Sequence, residues 1–358
     1  MHDQSCAGLK LRTIEGVPPT RIPTSRTLSS EAWQLASRRA LHGFVRHRGL
    51  DSAATLAFFA ALVVFPASLA VVSVFALLDS KKGHAQADIL TIIGSVTPGD
   101  TVSAIRGPLA QLFSLPNPGY ALAIGLVLTL WAMSGYLTAV GRAINAAYEV
   151  QEGRQWFVLR LTMVLVSVVL VAAMAIMFVL LIGTPTVARL VAHNIGAPDW
   201  VVIVWDIAKW PVLVGLAVFI VANLYYYSPN VRHLRIRWVT WGAVAAIVAW
   251  VLTTVGFGIY VLNVSHYNKI YGWLGGAIIL LLWLFLSNWV VVFGAEVDAE
   301  IVRVRQLEAG IIADEVVQLP LRSTHRNLRL ARHLAEDVAR GRKLREDADR
   351  IANGDSGS

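Results

Sequence analysis

The chain has 358 residues, of which 56% are hydrophobic and only 15% charged. Soluble domains run at roughly 45–50% and 25%, so this composition belongs to an integral membrane protein. The net charge of +8 is not the footprint of nucleic-acid binding, because the basic residues gather beside apolar segments instead of forming one stripe with interleaved aromatics.

The single cysteine, Cys6, excludes an intrachain disulfide and a cysteine-based metal cluster. Residues 1–50 form a polar N-terminal arm with no short apolar core and cleavage site, so the first apolar segment reads as an uncleaved signal anchor. Six segments are long and uncharged enough to span: residues 52–78, 120–140, 161–182, 210–227, 238–265 and 273–295. Lipid offers backbone groups no partner, so each is expected to be helical. The expected fold is an all-α polytopic membrane bundle of six transmembrane helices, with a membrane domain at 51–300 and a charged tail at 301–358.

In the first segment Ala53, Ala57 and Ala61 make a small-residue stripe, and Pro66 removes a backbone donor in mid-span, which predicts a kink near Val63. The connection at 79–119 is too long for a turn. Ile105, Leu109, Leu112 and Phe113 recur at helical spacing there, as in an amphipathic helix on the outer interface or a packed lid. In and after the second segment Ser134, Thr138, Gly141, Asn145 and Tyr148 fall three or four apart and share one inward face. Such a face either bonds to neighbouring helices or lines a cavity.

Asp206 and Lys209 pair at the outer end of the fourth segment, and Asn223 and Asn288 are buried amides that need partners. Gly256 and Gly258, with Gly275 and Gly276, are expected at close helix contacts. The last segment runs 23 residues without a charge and then sets down Glu296, Asp298 and Glu300. Beyond it, Leu328, Ala331, Ala335 and Val338 give the tail one weak apolar stripe.

Arg38, Arg39, Arg46 and Arg48 precede the first span, Arg142, Arg154 and Arg160 flank the second connection, Arg232, Arg235 and Arg237 fill the fourth, and Arg303 and Arg305 follow the last. By the positive-inside rule these connections and both termini are cytoplasmic. At that boundary Asp51, Arg142, Glu296 and Asp298 lie at similar depth and are expected to form one ionic network.

Several of these residues carry a resemblance. The run from Asp51 to Phe65-Pro66, the Arg142-Ala-x-Asn145-x-x-Tyr148 segment, Pro229-Asn230, the loop with Tyr267, Asn268, Tyr271, Gly272 and Gly275, and Gly294-Ala-Glu296-x-x-Ala-Glu300 together resemble the YihY/BrkB family of bacterial inner-membrane proteins. The resemblance covers about residues 30 to 305. It implies a six-helix inner-membrane protein with cytoplasmic ends, described as a transporter or envelope-associated factor without a settled substrate. Two departures stand out: Asp298 where many members carry asparagine, and Phe59 where tyrosine is common.

The functional expectation is a transporter or flippase-like protein for a small polar or lipid-linked envelope solute. The alternative is a membrane scaffold acting through its tail or outer loop. Membrane lipids are the expected partners, small-residue stripes permit homo-oligomers, and no cofactor or metal is expected. Some family members have carried a ribonuclease label, but His193, His233 and His266 sit in separate connections and no HExxH spacing occurs, so no enzyme is expected.

Overall fold

The protein is described here from a computed structural model covering residues 28–79, 117–183, 189, 198–232, 241–263 and 273–354. Those residues form eight helices: α1 (Ser30–Arg46), α2 (Gly49–Asp79), α3 (Pro118–Ala147), α4 (Trp156–Ile182), α5 (Asp199–Tyr227), α6 (Trp241–Asn263), α7 (Trp273–Glu308) and α8 (His325–Gly354). Five of them, α2, α3, α4, α5 and α7, are long and apolar enough to cross a membrane. The fifth expected span coincides with α6, whose apolar part is shorter, Ala246–Val261. The amphipathic segment expected within 79–119 and the motif residues Tyr267, Asn268, Tyr271 and Gly272 lie outside the described residues.

Two helices outrun their apolar segments. At 36 residues α7 is about 54 Å long, well beyond a hydrocarbon core of about 30 Å. It passes residue 295 without a break, since no helix breaker intervenes before Gly310, and beyond 295 Glu300 and Arg303 pair one turn apart. It stops where Gly310 takes φ 74 and Ile311 N–H returns to the Gln306 carbonyl at 2.9 Å. In the same way α3 continues past Val140 to Ala147, and Glu149 turns the chain at φ 55.

The helix α1 begins at Ser29, whose hydroxyl accepts Ala32 N–H at 3.1 Å. Ala32, Ala36, Ala40 and Gly43 are buried along one side of α1, and Ala32 and Ala36 pack on Val304 of α7. Gly125 of α3 meets α2 where an added Cβ would lie 2.9 Å from Ala70 N and 3.1 Å from the Pro66 carbonyl. Gly141 does the same against α5, with a Cβ position 2.6 Å from the Ser228 carbonyl. By contrast Gly256, Gly258 and Gly276 face open space among the described residues, so the expected close contacts do not form there with any of them. Nothing described lies within 4 Å of the Cβ position at these three glycines, although α6 and α7 do touch elsewhere, where the Trp250 indole donates to the Ser287 hydroxyl at 3.1 Å.

Packing is graded along the bundle. In α7 only Leu284 is buried between residues 276 and 287, whereas most positions from Asn288 to Gln306 are buried. In α3 burial is one residue in four at Ala121, Gly125 and Thr129, then nearly continuous from Met133 to Tyr148. One end of the bundle is thus closely packed and the other half presents its side chains outward. Replacing Gly141 with Val should force α3 from α5 and lower stability by roughly 1–3 kcal/mol, the usual cost of overpacking. Thermal unfolding of the purified variant measures this, and an unchanged midpoint would contradict the contact.

Candidate functional site

The packed end is organised around charge. Glu296, Glu300 and Arg303 of α7 are 1%, 2% and 0% exposed. Arg303 lies 3.1 Å from Glu300 and 3.3 Å from Glu149, and its remaining reach goes to the carbonyls of Ala313 and Glu315 at 3.0 and 3.1 Å. Glu300 is also held by Arg39 of α1 at 3.0 Å. Arg46 pairs with Glu149. One turn back along α7, Glu296 accepts from His47 Nδ1 at 2.8 Å, and its second oxygen is enclosed without a hydrogen bond beside Gly43.

His47 is poised between two carboxylates. Glu149, 3.7 Å from Nε2, and Glu296, at Nδ1, stabilise the imidazolium and push its pKa up to about 9 against the opposing effect of burial. At 3.7 Å the Glu149 contact is a charge attraction, too long for a hydrogen bond. Burial works to raise the Glu149 carboxyl, but His47, Arg303 and Arg46 outweigh it and hold it below the usual range. Tyr148 donates to Asp298 at 2.8 Å, and burial, aided by that carboxylate, keeps its phenol protonated well above its ordinary pKa.

A second lattice, built on backbone carbonyls, amides and one ion pair, adjoins the first. Asn145 donates to Glu152 at 3.1 Å and accepts the Asn230 backbone N–H at 2.8 Å. Asn230 in turn donates to the carbonyls of Gln151 and Ser323, both at 2.9 Å. Arg154 forks onto Glu152 with two contacts of 2.8 Å and reaches the Tyr227 and Ser228 carbonyls. The chain after α7 closes the lattice: Gln306 exchanges two hydrogen bonds with Gln318, Val231 and Leu321 form an antiparallel bridge, and Arg322 donates to the Val231 carbonyl at 2.9 Å. Gly153 is required here, since a Cβ would lie 1.8 Å from the Ser323 carbonyl.

Of the residues singled out in the sequence, Asn145, Tyr148, Pro229, Asn230, Gly294, Glu296, Asp298 and Glu300 are buried at this end. Gly275 is buried at the start of α7, and Pro66 lies within α2. Asp51 and Arg142 are exposed, form no ion pair among the described residues, and stand outside the network expected to include them. Asp51 occupies the first turn of α2, where a carboxylate suits the helix dipole, and Arg142 projects about 100° away from the Gly141–Asn145–Tyr148 face. Ser134 and Thr138 donate to carbonyls of their own helix, both at 2.7 Å. Asn288 takes Tyr136 as partner at 2.8 Å, Asn223 bonds the Phe219 carbonyl, and Lys209 pairs with Asp206 at 2.5 Å.

His47, Glu149 and Glu152 carried no signal of function in the sequence. Arg39, Arg46, Arg154 and Arg303 entered only as markers of orientation. Their one legible hint was the Glu300–Arg303 spacing. Among the described residues no three His, Cys, Asp or Glu side chains are grouped as metal ligands.

An all-helical bundle with several apolar spans and a buried polar end defines a multi-pass membrane protein. The Virulence factor BrkB family matches residues 40–315, and the chain belongs to that family. It is similar to the ribonuclease-like protein YfkH of Bacillus subtilis, 29% identical over 256 residues, 72% of this chain and 91% of the relative. It is also similar to a UPF0761 membrane protein of Aliivibrio salmonicida, 24% identical over 258 residues, 70% of this chain and 77% of the relative. A UPF0761 membrane protein of Alteromonas mediterranea is 43% identical over 82 residues, 23% of this chain and 28% of the relative. These relatives place the chain among multi-pass bacterial membrane proteins. No solved structure matches.

Two outcomes follow from the charges. The raised His47 pKa contributes stability that is complete below its ordinary 6.5 and lost as pH rises through about 9. The thermal midpoint of the purified protein should therefore fall across that window, and His47→Gln should flatten the fall; equal slopes would rule out the linkage. Arg303→Met should cost roughly 3–5 kcal/mol by leaving Glu149 and Glu300 without their buried partner, read as a lower unfolding midpoint in detergent.

Proposed function

We propose that the chain is a transporter or flippase-like protein of the bacterial inner membrane, with six spans and both termini cytoplasmic, moving a small polar or lipid-linked envelope solute. The observation that carries this reading is the packing gradient. Buried polar contacts tie all the arginine-flanked connections together at one end, while α6 and the first half of α7 present open faces. A bundle sealed on the cytoplasmic side and loose on the other has the form that alternating access requires of one of its states. The meeting of α1, the 149–154 and 228–232 connections and the 311–324 segment at one end supports an even number of crossings.

The scaffold reading has its own support. Ser134, Thr138, Asn145 and Tyr148 all have hydrogen-bond partners within the protein, which is what a rigid bundle presenting α8 would show. We further propose that the chain is not an enzyme, although its Bacillus relative is named ribonuclease-like.

Proteoliposomes holding the purified chain and a fluorescent phosphatidylethanolamine distinguish these readings. The transporter reading expects lipid to cross faster than in protein-free liposomes, unchanged on deleting 329–354, with added RNA left intact. No movement, together with loss of the cellular phenotype on that deletion, would favour the scaffold; cleaved RNA would overturn the non-enzymatic reading. The deletion begins at 329 because the packed end runs through residue 327, with Arg326 N–H bonded to the Gly153 carbonyl at 3.0 Å and Asn327 buried.

A further inference from the structure

The apolar flank of α3 and α4 carries a cation that the charged end does not use. Arg160 lies one turn into α4, just beyond Trp156 and Phe157, exposed aromatics of the kind that mark a headgroup layer. The Ser167 hydroxyl, 3.3 Å from the Leu130 carbonyl, sets the register of the two helices. Seven residues before Ser167, the Arg160 backbone is about 10 Å nearer the charged end. Its guanidinium nevertheless lies 4.1 Å from the centre of the Trp131 ring, with Nη2 3.5 Å from the Trp131 carbonyl. The side chain climbs along the helices into the apolar zone.

Helical side chains lean toward the N-terminus of their own helix. For α4 that is the charged end, where snorkelling would return the guanidinium to water. Arg160 runs the other way, and its partners are neutral. The indole of Trp131 is 62% exposed on the outer face of the bundle. The Trp131 carbonyl already accepts the Ser134 hydroxyl at 2.7 Å. The Nη2 contact to the Trp131 carbonyl is long at 3.5 Å, and no carboxylate pairs with this residue among the described ones. A guanidinium with spare N–H groups beside hydrocarbon calls for an anion. The anion that a bilayer supplies, with oxygens that fit the guanidinium fork, is a phosphate.

We propose that Arg160 and Trp131 form an intramembrane binding site for the phosphate of a phospholipid headgroup, drawn inward along the α3–α4 flank. The exposed Leu161 and Leu165 of α4 offer apolar cover to the chains of the same lipid. The site is defined by lipid retention and stands whether or not the chain moves lipid across the membrane.

Native mass spectrometry of the full chain in detergent, with phosphatidylglycerol added, tests the site. Arg160→Gln should lower lipid retention about tenfold, the worth of one charge-assisted contact, and Arg160→Lys should fall between, keeping charge without the fork. Equal retention by Arg160→Gln would overturn the site, and displacement by millimolar inorganic phosphate would reassign it to a soluble anion and overturn the lipid. The unaltered chain gives a second reading that needs no variant: phosphatidylglycerol with a photoreactive headgroup should label peptides containing Trp131 or Arg160. Labelling confined to other spans would overturn the proposal.

Discussion

The arrangement of this protein turns on Arg303, a guanidinium with no exposure to solvent. Removing such a charge from water costs several kcal/mol even after relaxation, so its N–H groups must find oxygen inside the protein. Glu300 and Glu149 supply charge, and the carbonyls of Ala313 and Glu315 supply the rest. Satisfying one side chain thereby fixes three things at once: where the chain turns back after α7, where the α3–α4 connection lies, and, through the shared Glu300–Arg39 pair, where α1 docks.

Around that centre the carboxylates Glu149, Glu296, Glu300 and Asp298 are matched by Arg39, Arg46, Arg303 and a protonated His47. His47 holds its proton so far above its ordinary range because Glu149 and Glu296 both face its ring. Unlike Arg303, Glu296 keeps one oxygen without a hydrogen bond. Close packing at this end and open faces along α6 and the start of α7 divide the bundle into a rigid base and a looser half. The glycines mark the same division, tight at Gly141 and Gly153 and open at Gly256 and Gly276.

Helix positions were legible in the sequence because lipid leaves uncharged 20-residue segments one way to satisfy their backbone. The extension of α3 and α7 beyond those segments was not, because hydropathy stops at the first charge whereas a helix stops at a breaker such as Gly310. The spacing that puts Asn145 and Tyr148 on one face was visible in the sequence, and both are buried in the structure; whether Glu296, Asp298 and Glu300 face protein or water was not legible there, and the structure buries all three. Their partners were not legible either. Asp51 and Arg142 share the right depth but point outward, while His47 and Glu149 sit in short turns whose direction no periodicity encodes.

Taken alone, the sequence determined a helical membrane protein with several apolar helices and the segments beside which its charges gather, since these follow from transfer free energies read residue by residue. Tertiary structure decided which charges meet. Arg303 reaches Glu149 across 154 positions of sequence, and Arg39 reaches Glu300 across 261. Such pairings depend on helix rotation and on the path of connecting segments, and those are set by packing at residues such as Gly43, Gly141 and Gly153.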